Sequence, residues 1–95
     1  PWNRLYPLDE LYAHFERLAA SYPGWLTGET IGLSSAGREL RVYTLGRARP
    51  YGAHKPAMWV DGNVHGNEVQ GSEAILYLAW YLLENKDTNP RVAEL

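Results

Sequence analysis

The sequence of 95 residues contains no cysteine, which excludes disulfide bonds and thiolate metal ligands within it. A metal ion would therefore have to be bound by histidine and carboxylate side chains. Long hydrophobic segments are also missing. The longest apolar run, residues 74–83, has about half the length that a helix needs to cross a bilayer. The sequence accordingly predicts no membrane span.

Basic residues are too few and too scattered for a nucleic-acid-binding surface. Nine Lys and Arg stand against eleven Asp and Glu, a net charge of −2, so nucleic acid is not expected as a partner. The one local concentration comprises Arg38, Arg41, Arg47 and Arg49, which we interpret as a solvated strand edge rather than as a contact for an anionic substrate. Hydrophobic residues make up 45%, with four Trp and seven Tyr, which is typical of a chain that folds.

The apolar spacing predicts a helix, a β-hairpin, a strand and a second long helix, in that order. Apolar residues recur every three or four positions over residues 8–22 and stop at a Pro-Gly pair, which indicates an amphipathic helix. Residues 25–31 and 39–45 are predicted to form a hairpin around a glycine-bounded turn. Residues 46–54 are predicted to be a loop, and residues 55–61 a buried strand.

The second helix is predicted over residues 70–84 and is apolar on nearly all sides. One face carries Ala74, Ile75, Leu78, Ala79 and Leu82. Further apolar residues widen this face until little polar surface remains, and a helix of this kind packs against a sheet or inside a larger body. Asn89 and Pro90 then mark the start of a further helix close to Leu95. We therefore expect the chain to be the front part of a longer protein.

The pair His65 and Glu68 is the strongest sign of chemistry, because an imidazole and a carboxylate at this spacing can bind one zinc ion. A catalytic zinc takes three protein ligands and leaves a fourth position for water, so a third ligand must come from elsewhere. Gly62 and Gly66 are expected to let the backbone take left-handed angles or approach a substrate closely, so that the loop can turn sharply around an ion. The competing interpretation is that His65 and Glu68 merely decorate the start of a helix.

The surroundings of the pair favour a site. It lies between the predicted strand and the second helix, and ligands commonly bind beyond the carboxyl ends of strands in open α/β sheets. At the helix start, Glu68 would lie in the positive field of the helix dipole, which favours the ionised carboxylate that a metal needs. Asn67 is a candidate cap for this helix. Asp61 is a candidate acceptor that orients a ligand, or more simply a cap of the turn that follows it.

Three segments, residues 31–38, 57–68 and 89–92, together carry a family resemblance, and a helix separates the last two. In their order and spacing they resemble the amino-terminal part of zinc metallocarboxypeptidases of the carboxypeptidase A superfamily, over almost the whole chain. The resemblance implies an α/β fold of the phosphorylase/hydrolase-like type, with a mixed, mainly parallel central sheet flanked by helices. It also implies that residues 1–95 are the N-terminal portion of one catalytic domain.

The resemblance further implies hydrolysis of C-terminal peptide bonds by a zinc-activated water, with one zinc ion per complete site and a peptide or protein C-terminus as substrate. His65 and Glu68 match the first two zinc ligands of the family. Its third ligand, a histidine, and its general base, a glutamate, lie downstream of Leu95. The 95 residues alone are therefore expected to be inactive. The resemblance favours a secreted or periplasmic location and leaves the oligomeric state open.

Several positions depart from the pattern of the family. Arg38 matches its Gly-Arg signature, but Ala36 stands where many members have Glu, and Glu39 where many have Pro. Asn67 occupies a position at which digestive members carry an Arg that faces the substrate. These departures leave the two ligands intact and leave the subfamily and the substrate-binding residues open. Two alternatives remain, a related zinc amidohydrolase such as a deacylase or a cell-wall peptide amidase, and a non-catalytic fragment or pseudoenzyme.

Overall fold

The computed structural model describes residues 2–47 and 55–95, which form helices and one hairpin. The elements are α1 (Leu8–Ser21), β1 (Leu26–Leu33), β2 (Glu39–Leu45), α2 (Gln70–Asn85) and α3 (Pro90–Ala93). This is a mixed α/β arrangement, as the sequence predicts at the level of class. Most of the loop predicted at residues 46–54, and with it Arg49, lies outside the described residues.

Helix α1 is amphipathic, as predicted, and its apolar stripe lies in the core. Leu11 and Phe15 are both buried, and their spacing of four residues places them on one face of the helix. The helix ends at Ser21, and the N–H of the C-cap residue Tyr22 still donates to the Leu18 carbonyl at 2.9 Å. Gly24 then reverses the chain with a φ of 79°, which a residue with a side chain rarely adopts.

The predicted hairpin is confirmed. Strands β1 and β2 pair antiparallel along their length, with one irregularity between Thr30 and Gly32. The turn closes through Ser34, whose N–H donates to the Arg38 carbonyl at 2.8 Å. It needs Gly37, whose φ of 75° lies in the left-handed region.

One hydrophobic core joins the two long helices to the hairpin. Its buried members are Leu11, Phe15, Leu26, Leu76, Ala79 and Leu83. The buried stripe of α2 is thus formed by Leu76, Ala79 and Leu83, whereas Ala74 and Leu78 of the predicted face are exposed. Leu76 and Leu83 are among the apolar residues predicted to widen that face, so the buried stripe lies towards its edge, because an almost uniformly apolar helix does not indicate which side packs inward.

A polar and aromatic contact fixes the hairpin to α1. The ring of Tyr43 stacks on Phe15 with the centroids 4.2 Å apart, and its hydroxyl donates to Oε1 of Glu16 at 3.1 Å. Burial raises the pKa of the Tyr43 phenol well above its ordinary value, so the hydroxyl remains a donor. Arg41 pairs with the same carboxylate oxygen at 2.5 Å. Arg41 is therefore an ion-pair partner in a half-buried position, not the solvated strand-edge residue that the sequence predicts.

Residues 55–61 do not form the predicted buried strand. The segment has no regular structure, and Met58 and Trp59 are 87% and 71% exposed. A strand needs a neighbour to satisfy its backbone N–H and carbonyl groups. In the described part of the chain the sheet consists of β1 and β2 alone, and neither pairs with this segment. Residues 55–61 therefore stay irregular although their composition favours a strand.

Helix α3 starts where the sequence predicts. The side chain of Asn89 accepts a hydrogen bond from the Arg91 N–H at 3.1 Å, with Pro90 in the first turn. Of the helices within residues 2–47 and 55–95, none has both the length and the apolar character that crossing a membrane would require.

His14 lies in a cluster that favours its neutral form. Its ring centroid is 4.4 Å from that of Tyr6, and its Nδ1 lies 2.8 Å from Nη2 of Arg17, which donates to it. A ring nitrogen can accept this bond only when the imidazole is neutral. Burial lowers the pKa of His14 below its ordinary value of 6.5, and the charges of Arg17 and Arg4 lower it further, whereas Glu10 opposes the shift.

The free energy of unfolding of the 95-residue chain is therefore expected to decrease as the pH falls below 6.5. Above that pH His14 is neutral in both states and has no effect, whereas below it the unfolded chain takes up the proton more readily. Denaturant titrations between about pH 7.5 and pH 5 measure this slope. His14→Gln, which takes up no proton, should flatten the slope, and an unchanged slope in that variant would refute the assignment.

Candidate metal centre

The loop that precedes α2 carries the two predicted ligands, and the structure brings them together. Nδ1 of His65 lies 2.9 Å from Oε1 of Glu68. Two further contacts shape the turn between them. The His65 N–H donates to Oε2 of Glu68 at 3.3 Å, and the Glu68 N–H donates to the His65 carbonyl at 3.0 Å. The turn therefore holds the imidazole and the carboxylate side by side.

This pair has donor chemistry that fits zinc. Imidazole nitrogen and carboxylate oxygen are both ordinary zinc ligands, and two donors on one tetrahedral zinc lie roughly 3.4 Å apart. The His65 and Glu68 donors are 2.9 Å apart, so rotations that separate them by about 0.5 Å would suffice. The two side chains are 73% and 56% exposed, which leaves them accessible from solvent.

The pair does not form a complete site by itself. Within residues 2–47 and 55–95, no group of three His, Cys, Asp or Glu side chains lies close enough together to hold an ion. Asp61 is exposed, and in the same part of the chain no hydrogen bond joins it to His65 or Glu68. A catalytic zinc needs three protein ligands. The described residues therefore supply two of them at most.

The start of α2 differs in detail from the prediction. The helix begins at Gln70, with Val69 as its N-cap and no capping hydrogen bond from a side chain. Asn67 is therefore not the cap, because it lies inside the turn that precedes the helix. Glu68 precedes the N-cap residue Val69, and its carbonyl accepts a hydrogen bond from the Gly71 N–H at 3.2 Å.

The loop is held against the first turn of α2 by two contacts. Gly62 lies so close to Gly71 that a Cβ added at Gly62 would come within 2.8 Å of the Gly71 carbonyl carbon. Asn63 accepts a hydrogen bond at Oδ1 from the Ser72 hydroxyl at 3.2 Å. The left-handed backbone angle in this loop belongs to Asn63, with φ 60°, and neither Gly62 nor Gly66 adopts the left-handed angle that is one of the two roles predicted for them. Asn tolerates this conformation better than most residues.

Sequence reasoning did not identify Gly71 and Ser72 as residues that hold the loop. The available signal was a glycine in the first turn of an otherwise apolar helix, because such a glycine often marks a close approach of backbone. Arg38, from the Gly-Arg signature, is exposed at the end of the hairpin turn. Its N–H donates to Oγ of Ser34 at 3.1 Å, so its backbone has a structural role in the turn.

Comparison with known proteins identifies the family. Residues 11–95 match the family model described as zinc carboxypeptidase. The chain belongs to the zinc carboxypeptidase family. This confirms the resemblance inferred from the sequence, and the imidazole and carboxylate that meet before α2 are a donor set suited to the metal in the family's name.

The zinc carboxypeptidase relatives are much longer than this chain. Carboxypeptidase B of Astacus astacus is 31% identical over 87 residues, which cover 92% of this chain and 28% of that protein. Carboxypeptidase D of Homo sapiens is 35% identical over 104 aligned positions, which cover 99% of this chain and 7% of that protein. Carboxypeptidase Z of Homo sapiens is 46% identical over 70 residues, 70% of this chain and 10% of that protein. The chain thus spans at most 28% of the length of these three relatives.

Proposed function

We propose that this chain is the N-terminal portion of the catalytic domain of a zinc-dependent metallocarboxypeptidase, to which it contributes the ligands His65 and Glu68. The observation that carries the proposal is the 2.9 Å approach of these two side chains in a chain whose residues 11–95 match the zinc carboxypeptidase family. The proposed reaction is hydrolysis of the C-terminal peptide bond of a peptide or protein, with one zinc ion per complete site.

The two ligands have distinct tasks in this proposal. The chemistry that zinc supplies at such a site is that of a Lewis acid, which polarises a peptide carbonyl and acidifies water. His65 contributes a neutral nitrogen donor and Glu68 an anionic oxygen donor. The His65 N–H donates to Oε2 of Glu68, which orients the carboxylate so that Oε1 faces the imidazole. We assign no catalytic proton transfer to any residue of this chain.

The proposal includes a larger, mainly parallel sheet flanked by helices, in which residues 55–61 form a strand. Two exposed surfaces support this. Residues 58–60 combine apolar side chains with exposure, as expected of a strand that is buried when its neighbours are present. On α2, Tyr77, Leu78 and Tyr81 are 40–45% exposed, and contiguous exposed apolar surface commonly marks a contact with another part of a protein.

Hydrolysis assays on two lengths of protein test the proposed function. The longer protein that contains this chain, as its source organism makes it, should shorten a peptide stepwise from the C-terminus, as followed by mass spectrometry. Chelation should stop this activity and added zinc should restore it. The 95-residue chain should show no turnover, because its described residues supply two zinc ligands and not three.

Each other outcome has a defined meaning. Cleavage of non-peptide amides in place of C-terminal peptide bonds would favour the zinc amidohydrolase alternative. An inactive longer protein would favour a pseudoenzyme. Activity that survives complete removal of metal would contradict the zinc mechanism. Chelator-sensitive turnover by the 95-residue chain itself would contradict the proposal that this chain is only part of a site.

A further inference from the structure

The loop that carries His65 and Glu68 has no helix or strand of its own to hold it in place. It is attached to α2 by a contact between the backbone at Gly62 and the backbone at Gly71. A Cβ added at Gly62 would lie 2.8 Å from the carbonyl carbon of Gly71 and 3.0 Å from the carbonyl oxygen. A Cβ added at Gly71 would lie 3.2 Å from the backbone N of Asn63. Backbone atoms cannot rotate away as a side chain does, so either addition would have to move the loop or the helix.

A second attachment lies beside the first. Asn63 follows Gly62 with a left-handed φ of 60°, and its side chain accepts the Ser72 hydroxyl at 3.2 Å. Ser72 follows Gly71 on the first turn of α2. Two neighbouring residues of the loop therefore contact two neighbouring residues of the helix, once through backbone packing and once through a hydrogen bond.

Gly66 provides the contrast within the same loop. It lies between His65 and Glu68 in sequence, yet a Cβ added there would meet no atom within 4 Å. Its backbone is also outside the left-handed region. The tight packing is thus confined to the part of the loop that touches α2 and does not extend to the turn between the two ligands.

We propose that Gly62, Asn63, Gly71 and Ser72 form a loop anchor that positions His65 and Glu68 for zinc. The inference rests on the proposed function, since it takes those two side chains as zinc ligands. The four anchor residues are positioning residues and do not touch the metal. They fix the position of the turn between His65 and Glu68 relative to the start of α2. They thereby fix the orientation of its two zinc donors relative to a third ligand, which comes from outside the described residues.

The expected loss of zinc affinity follows from how little displacement of its ligands a metal site tolerates. Ligands must be held within about 0.5 Å of their productive geometry, and loss of a partner that orients a ligand lowers metal affinity by about 10- to 100-fold. A methyl group 2.8 Å from a carbonyl carbon is about 0.7 to 1.2 Å closer than the ordinary contact between carbon atoms. Displacement of the loop by that amount would exceed the tolerance.

The test uses the longer, zinc-loaded protein and measures the zinc dissociation constant by competition with a chromophoric chelator. Gly62→Ala should weaken zinc binding by about 10- to 100-fold. Gly66→Ala, the same substitution without a steric neighbour, should stay within about twofold of the unsubstituted protein. Ser72→Ala should weaken binding, and Ser72→Thr should restore most of the affinity, because it keeps the hydroxyl that Asn63 accepts.

The thermal unfolding midpoint of the zinc-free protein separates positioning from general stability. A positioning role predicts that zinc affinity falls in Ser72→Ala and recovers in Ser72→Thr while this midpoint hardly changes. Equal zinc affinities in Gly62→Ala, Gly66→Ala and the unsubstituted protein would overturn the anchor and leave the proposed function standing. Equal affinities in both Ser72 variants would also overturn it, even if Gly62→Ala fails to fold. A failure of the unsubstituted protein to bind zinc would instead overturn the proposed function itself.

Discussion

Replacement of His65 by alanine is expected to remove almost all zinc from the longer protein. The imidazole would be one of three protein ligands, and loss of even a residue that only orients a ligand lowers metal affinity by about 10- to 100-fold. Loss of a ligand itself should therefore lower the zinc affinity by more than about 100-fold. Elemental analysis after dialysis measures the result. The unsubstituted longer protein should retain about one zinc ion per complete site, and His65→Ala close to none.

A histidine outside the site supplies the matched control for this experiment. His14 lies on α1 and packs against Tyr6, so His14→Ala removes an imidazole without touching the loop before α2 and should leave the zinc content unchanged. Glu68→Ala should lose zinc as His65→Ala does, because it removes the second donor. If His65→Ala keeps its full complement of zinc, His65 is not a ligand.

Replacement of the buried Leu83 by alanine is expected to destabilise the 95-residue chain more than the same substitution at an exposed position of α2. Leu83 is 1% exposed and belongs to the core that joins α1, β1 and α2. Truncation of a buried leucine costs about 2–5 kcal/mol. A chain of this length has a total free energy of unfolding of roughly 5–14 kcal/mol. The denaturant midpoint should therefore fall by a large fraction of its value.

Leu78→Ala is the control for the packing of α2. It is the same substitution on the same helix, at a residue that is 40% exposed, and it should cost less than about 1 kcal/mol. Denaturant titration of the two variants of the 95-residue chain decides between the helix faces. If Leu78→Ala costs as much as Leu83→Ala, the packing of α2 through Leu76, Ala79 and Leu83 is contradicted.

Features whose signals are local in sequence were predictable. The apolar spacing of α1, the glycine in the hairpin turn and the Asn-Pro start of α3 each act within a few residues, and the structure has all three elements. The proximity of His65 and Glu68 is also a local feature, whereas their role as zinc ligands stays a prediction. A spacing of three residues lets one turn bring both side chains together, and they lie 2.9 Å apart.

Features that depend on distant partners were not predictable. Residues 55–61 have the composition of a strand, but in the described part of the chain neither strand of the sheet pairs with them. The rotation of α2 depends on which of its apolar sides meets α1 and the hairpin, and apolar composition alone does not contain that information. The contact of Gly62 with Gly71 is likewise a product of how the loop folds back on the helix. A glycine in the sequence indicates that a close approach is possible but not what approaches.

The central claim is that His65 and Glu68 bind the same zinc ion, and anomalous X-ray scattering at the zinc edge tests it most directly. Crystals of the longer, zinc-loaded protein should give one strong anomalous peak between these two residues. The peak should lie about 2.0–2.2 Å from a ring nitrogen of His65 and from a carboxylate oxygen of Glu68. A zinc peak bound by other residues, with His65 and Glu68 still bonded only to each other, would contradict the account.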